Sequence, residues 1–232
     1  DKNINIGNKL ILTAGPSVSV LESFKSYDAA KNGWNNNWNK YIEYLETNFA
    51  KYLGVKHAIS TSSCTGALHI ALMALGIKEG DEVIVPDITW VATARVVSYL
   101  GAIPVFSDIK KESWNINTRS VESLINKKTK AIIAVHLYGN PADLIELRRL
   151  SNKYRIKLVE DAAPALGASY NGVKCGTVGD FSAFSFQGAK LLVAGEGGML
   201  CTNNTKLYRK AKKISDHGRN PKKTFWIDGP GL

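Results

Sequence analysis

The sequence predicts an α/β fold, a mostly parallel seven-stranded sheet flanked by helices. Three observations predict it. Short apolar runs of strand length alternate with longer segments of helical period along the chain. The 232 residues suffice for a sizeable buried core. Finally, the Ser63 turn, Trp90, His136, Asp161 and Lys190 all fall at or just beyond strand ends, where an open parallel sheet gathers its ligands.

The elements follow in order. A helical pattern covers Val18–Asn32 and another Tyr41–Leu53, where Ile42, Leu45, Phe49 and Tyr52 form one apolar stripe that reads as core packing. The strand His57–Thr61 leads through a small, hydroxyl-rich turn into a helix over Gly66–Leu75. Strand Glu82–Pro86 and helix Val91–Leu100 come next, then strand Ile103–Ser107 and helix Ser120–Asn126. Strand Ala131–His136 precedes helix Ala142–Tyr154, and strand Lys157–Asp161 ends in two carboxylates. Strands Phe181–Phe186 and Gly198–Thr202 and a helix over Thr205–Ile214 complete the series. No internal repeat or low-complexity linker interrupts it.

Composition narrows the function classes. No apolar run is long enough to span a bilayer. The chain does not open with a basic region followed by an apolar one, so no secretory signal is visible and no membrane partner is expected. Cys64, Cys175 and Cys201 are odd in number and far apart, which fits neither a disulfide framework nor a metal site. A reducing cytoplasm is the simplest compartment. The 30 Lys and Arg against 20 Asp and Glu give a formal net charge of +10. Much of it lies in Lys206, Arg209, Lys210, Lys212, Lys213, Arg219, Lys222 and Lys223. A basic helix face is one footprint of nucleic-acid binding. No aromatic stacking pattern accompanies it here, so a solvated helix face is the favoured reading and no nucleic acid is expected. Positive potential also suits a substrate that carries a diphosphate.

Three segments carry chemistry. Lys190 follows the apolar run Ser182-Ala183-Phe184-Ser185-Phe186 and a short turn, just before Gly195-Glu196-Gly197-Gly198. Such a placement holds a single amine in a pocket, where burial disfavours the ammonium and the free amine can attack a carbonyl as a Schiff-base nucleophile. Most lysines are simply solvated. About thirty residues upstream, Val159-Glu160-Asp161 reads as a strand ending in a carboxylate, or as an ordinary strand-end turn. A lysine for the aldehyde and an aspartate for the ring nitrogen are what pyridoxal phosphate requires. The turn Ser62-Ser63-Cys64-Thr65-Gly66 opens a helix, and the free N–H groups of a helix N-terminus form an anion site. Ser and Thr are also ordinary helix caps.

These segments resemble the DegT/DnrJ/EryC1/StrS family of nucleotide-sugar aminotransferases, within the fold-type I class of pyridoxal phosphate enzymes, and most closely its perosamine-synthase-like branch. The resemblance runs from about Gly15 to the C-terminus. It includes Gly54-Val55-Lys56-His57-Ala58, Gly80-Asp81-Glu82-Val83-Ile84-Val85-Pro86, Val135-His136-Leu137-Tyr138-Gly139, Glu160-Asp161-Ala162-Ala163, the Lys190 segment and Asp216-His217-Gly218-Arg219. It implies pyridoxal 5′-phosphate as cofactor and no metal. Lys190 would hold the cofactor and then serve as general base and acid. Asp161 would pair with the pyridinium nitrogen, and Trp90 would stack on the ring, although a core tryptophan is its competing reading. Cys64, Thr65 and Ser185 would contact the phosphate. His136 either lies near the cofactor or supports the strand end, and Glu160 is a structural carboxylate.

The resemblance also implies glutamate as amino donor and a 4-keto-6-deoxy sugar of a nucleoside diphosphate as acceptor, in cell-surface polysaccharide synthesis such as that of O-antigen lipopolysaccharide, or in antibiotic-sugar synthesis. Trp34 and Asn35, in Gly33-Trp34-Asn35-Asn36-Asn37-Trp38, and Arg219 would meet the sugar nucleotide, the alternative being a polar loop with two packing tryptophans. Relatives act as homodimers. Two departures stand out. Many members have a glutamine where this chain has Pro164, and related dehydratases replace with histidine the lysine kept here as Lys190. The expected organisation is a cofactor-binding large domain over 1–232, with an N-terminal segment at about 1–35 and the family's small C-terminal domain absent. The alternative function is a truncated, non-catalytic homologue serving as an interaction or regulatory module.

Overall fold

A twisted seven-stranded sheet divides the chain into two helical layers. The computed structural model describes residues 17–220, 223 and 226–232; the first part of the expected N-terminal segment and Lys222 lie outside the described residues. In chain order the elements are α1 (Val20–Asn32), α2 (Lys40–Leu53), β1 (His57–Thr61), α3 (Cys64–Leu75), β2 (Glu82–Pro86) and α4 (Ala92–Ser98). Then come β3 (Ile103–Ser107), α5 (Thr118–Leu124), β4 (Thr129–Val135), α6 (Leu144–Tyr154) and β5 (Lys157–Asp161). Last are β6 (Ser169–Tyr170), β7 (Val173–Lys174), β8 (Phe181–Ser185), β9 (Gly198–Thr202) and α7 (Thr205–Ser215).

The strand order is β1-β9-β8-β5-β4-β2-β3. All neighbours are parallel except β9, which runs antiparallel to both β1 and β8. A parallel neighbour needs a crossover, and the helices supply it on either face. Successive side chains point to opposite faces, and both faces are buried. Val83, Val85, Ile133, Val159 and Phe181 pack with Leu68, Ala71 and Val96 of α3 and α4. Ile84, Ile132, Ala134 and Leu158 pack with Val121, Leu147 and Leu150 of α5 and α6. Phe49, Ala50 and Leu53 of α2 close the β1 end against Phe184, Phe186 and Met199, with Phe49 edge-on to both phenylalanines.

Local chemistry sets the boundaries. Ser19 caps α1 in a box with Glu22, so the helix starts after the cap and not at Val18. Ser63 caps α3 by accepting from Gly66 N–H at 3.0 Å, which moves that start back from Gly66 to Cys64. The hairpin of β6 and β7 turns on Asn171-Gly172, both left-handed at φ 49° and 79°. The strand series read from the sequence missed this hairpin, for which the Asn-Gly pair was the available signal.

Candidate active site

The C-terminal ends of β1 and β8 and the start of β9 meet in one register row: Gly198 lies opposite Thr61 on one side and Ser185 on the other. A Cβ on Gly198 would sit 2.5 Å from Ser63 C and 2.6 Å from Cys64 N. Only glycine therefore lets β9 pass the start of α3. Thr61 Oγ1 donates to Ser63 O at 2.9 Å and fixes the same turn. The amides of Cys64 and Thr65 head α3 with no intrahelical acceptor available to them.

Lys190 lies in the connection from β8 to β9. Its N–H donates to Gln187 O at 2.9 Å, and Gln187 Oε1 accepts from Ala189 N–H at 2.8 Å. Gly188 N–H to Gly195 O and Phe186 N–H to Gly197 O close the base of this turn at 3.0 and 2.9 Å. The Lys190 side chain is half-buried, and its charge reaches both Asp161 and Cys64.

Asp161 ends β5 and is buried at 5% exposure. Its Oδ2 accepts from Thr93 Oγ1 at 2.8 Å, and its Oδ1 from Ala163 N–H at 3.2 Å, with Cys64 Sγ at 3.9 Å. Burial pushes its carboxyl above the usual aspartate range, against the Thr93 and Ala163 donors and the charge of Lys190. Burial and the adjacent Asp161 carboxylate push the Cys64 thiol well up. Cys64 is thus a neutral small side chain and no nucleophile.

Glu160 points to the other face and is fully buried. Its oxygens accept from the amides of Gly176, Val178 and Gly179 at 2.6, 2.8 and 2.6 Å and from His136 Nε2 at 3.0 Å. Burial works against its charge, but the His136 bond and these amides prevail and hold its pKa below the ordinary value. For His136, burial lowers the pKa while bonds to Cys175 and Glu160 raise it, to about 9 on balance. The amide of Ala142, which donates to His136 Nδ1 at 3.0 Å, opposes that charge. A protonated ring would set Nδ1–H against Ala142 N–H, so the geometry accommodates the neutral ring with its proton on Nε2.

A cavity of about 670 Å³ joins these parts. Lys190, Asp161, Cys64, Thr65, Trp90 and Ser185 all line it. Of its two readings His136 takes the second and does not join the cofactor-facing residues: it is fully buried, turned to Glu160 and Ala142, and braces the strand end while its neighbours Val135 and Leu137 line the cavity. Trp34, Asn35 and Arg219 do not line it either. Trp34 donates its ring N–H to Ala30 O at 2.7 Å, Asn35 opens a short 3₁₀ turn, and exposed Arg219 sits 3.8 Å from Asp216. Trp90 stands 78% exposed at the mouth, so it is no core residue. Sequence reasoning missed Thr89 and Tyr138 in the lining and Thr93 behind Asp161. Thr89 precedes α4 and Thr93 lies in its first turn, so no shared helical face marked the pair in the sequence.

The sequence profile of the DegT/DnrJ/EryC1/StrS aminotransferase family matches residues 22–232. The chain belongs to that family. It is 44% identical over 213 residues to the GDP-perosamine synthase of Vibrio cholerae, covering 92% of this chain and 58% of that protein. Its structure matches the aminotransferase from Psychrobacter cryohalolentis with a TM-score of 0.86 at 37% identity, over 94% of this chain and 56% of that one. A Streptococcus pneumoniae protein named as a sugar aminotransferase matches in its PLP form with a TM-score of 0.86 at 29% identity, over 95% and 62%. It is also known in a PMP form. The chain thus spans under two thirds of the length of these relatives.

The cofactor of this aminotransferase family is pyridoxal 5′-phosphate, and the cavity fits it. Asp161 is a buried carboxylate with acceptor capacity left over, suited to a cationic ring N–H. Lys190 is the primary amine of the lining, and the start of α3 offers amides to a phosphate. Among the described residues no group of histidine, cysteine and acidic side chains has the arrangement of a metal site. No described helix is long and apolar enough to cross a membrane.

Proposed function

We propose that the protein is a pyridoxal-phosphate-dependent aminotransferase that moves an amino group from glutamate to the 4-keto-6-deoxy sugar of a nucleoside diphosphate. The observation that carries this reading is Lys190 and Asp161 in one cavity beside the head of α3. The sugar class rests on the relation to GDP-perosamine synthases. The working form is a homodimer in the cytoplasm.

Bound pyridoxal phosphate supplies an aldehyde and an electron-withdrawing ring. Lys190 Nζ would hold the cofactor at its aldehyde and, when freed, would be the base and acid that carries the proton of the 1,3-shift. The half-buried site admits it to both tasks. Asp161 would keep the proton on the ring nitrogen, because an adjacent carboxylate favours the cationic form. The Cys64 and Thr65 amides and the Ser185 hydroxyl hold the phosphate. Trp90 covers one ring face. Pro164 lines the cavity where many members carry glutamine, so the phenolic oxygen gains no side-chain donor there.

The test is a visible absorbance spectrum of the protein with pyridoxal phosphate, before and after glutamate, with Lys190→Ala as control. A Lys190-dependent band that glutamate discharges is expected. A folded protein without that band is a non-catalytic relative, and the reading fails.

A further inference from the structure

Asp161 sits in surroundings that oppose its own charge. It is buried, and burial of a carboxylate favours the protonated acid. The donors around it are unequal. Ala163 N–H stands at 3.2 Å and Cys64 Sγ at 3.9 Å, while Thr93 Oγ1 is at 2.8 Å. The Thr93 hydroxyl is thus the short bond. Thr93 is itself fully buried, on the first turn of α4 and outside the cavity lining. Its oxygen has a second partner, Thr89 Oγ1, at 3.1 Å. A hydroxyl owns one proton. Where Thr93 gives its proton to Asp161, Thr89 must give its own to Thr93. The chain Thr89 to Thr93 to Asp161 then points every proton toward the carboxylate, and bonds in such a chain strengthen one another.

We propose that Thr93, oriented by Thr89, is the positioning residue that keeps Asp161 ionised and aimed at its ligand. This deepens the aminotransferase proposal and rests on the reading of Asp161 as partner of the ring nitrogen. The other groups facing Asp161 leave that role open to Thr93. Cys64 on α3 is a neutral thiol. Lys190 acts through charge without a direct bond to Asp161, and Glu160 faces the opposite way onto the 176–179 amides. His136 contacts Asp161 through its backbone amide, at 3.2 Å, with its ring engaged by Glu160. Ala163 donates a backbone amide that substitution leaves in place.

Thr93→Val removes the hydroxyl and keeps the shape. Two readouts test it. The first is the carboxyl ¹³C titration of Asp161 in the cofactor-free protein, read against Thr93→Ser. The second is the affinity for pyridoxal phosphate between pH 5 and 8. Thr93→Val is expected to shift the Asp161 titration upward and to weaken cofactor binding about tenfold or more toward the acid end, the scale of a lost charge-assisted hydrogen bond. Thr93→Ser is expected to restore both, and Thr89→Val to give a smaller shift of the same sign. If Thr93→Val leaves the Asp161 titration where it was, or Thr93→Ser fails as Thr93→Val does, the inference is overturned. The titration is read without cofactor. It therefore decides the role of Thr93 even where the wild-type protein forms no Lys190-dependent band and the aminotransferase proposal falls.

Discussion

Asp161 and Glu160 are adjacent, both buried, and opposite in what their charge does to the fold. Glu160 has its acceptors filled by three amides and an imidazole N–H. Replacing it with glutamine turns an NH₂ toward two of those donors. Glu160→Gln is expected to cost about 3 kcal/mol, since donors are left buried without an acceptor. Urea unfolding at neutral pH checks this. Asp161 is under-supplied, and burial holds its folded pKa above the ordinary aspartate value. The folded state then binds the proton more tightly than the unfolded chain, so stability falls as pH rises from the unfolded value through the folded pKa. At neutral pH the carboxylate is a net cost. Asp161→Asn fits the site, its oxygen meeting Ala163 N–H and its NH₂ meeting Thr93 Oγ1. The variant without cofactor is expected to melt higher than wild type at pH 7, to lose that advantage at pH 4, and to bind pyridoxal phosphate poorly. Melting curves at the two pH values decide it, and an unchanged or lower melting point at pH 7 would refute the account.

At the scale of elements, the sheet was largely legible and the site partly so. Apolar runs such as Val83-Ile84-Val85 are buried on both faces, and such runs announce a covered parallel strand directly. Termini were less legible, because Ser19 and Ser63 stop acting as loop residues only once their caps form. His136 stayed open between two readings for a related reason. A histidine at a strand end looks the same in sequence whether it faces a cavity or a buried glutamate, and only the packing of Ala142 against Nδ1 separates the two. Trp34, Asn35 and Arg219 are distant in sequence from the lining, and sequence offers no means to weigh tertiary distance. The cap of α3 gives the element its prediction. Ser63→Ala removes the bond to Gly66 N–H and is expected to cost about 1 kcal/mol. Denaturant midpoints measure that cost, and cofactor titration is expected to show weaker binding in the same variant.

Across the whole molecule the excess positive charge is distributed and mostly solvated. On α7, Ala211 and Ile214 face the core, Lys212 pairs with Glu46 at 3.5 Å, and Lys213 pairs with Asp228. Lys206, Arg209 and Lys210 stand exposed. Neutralising these three to glutamine is expected to change stability by no more than about 0.5 kcal/mol and to leave cofactor affinity unaltered. A large loss of binding in that variant would give the helix a part in the site after all. By contrast, α1 buries none of its residues and leaves Val20, Leu21 and Phe24 exposed, a face that charge patterning alone does not explain.

Gly198 carries a consequence for how the site is gauged. The lysine turn and the head of α3 belong to segments more than a hundred residues apart, yet they touch through one backbone crossing where no side chain intervenes. The span between the Lys190 turn, proposed to hold the aldehyde, and the α3 head, proposed to hold the phosphate, is therefore calibrated by main chain, like the jaws of a fixed caliper. A methyl group at Gly198 would press on Ser63 and the Cys64 amide and so reset that span through the backbone alone.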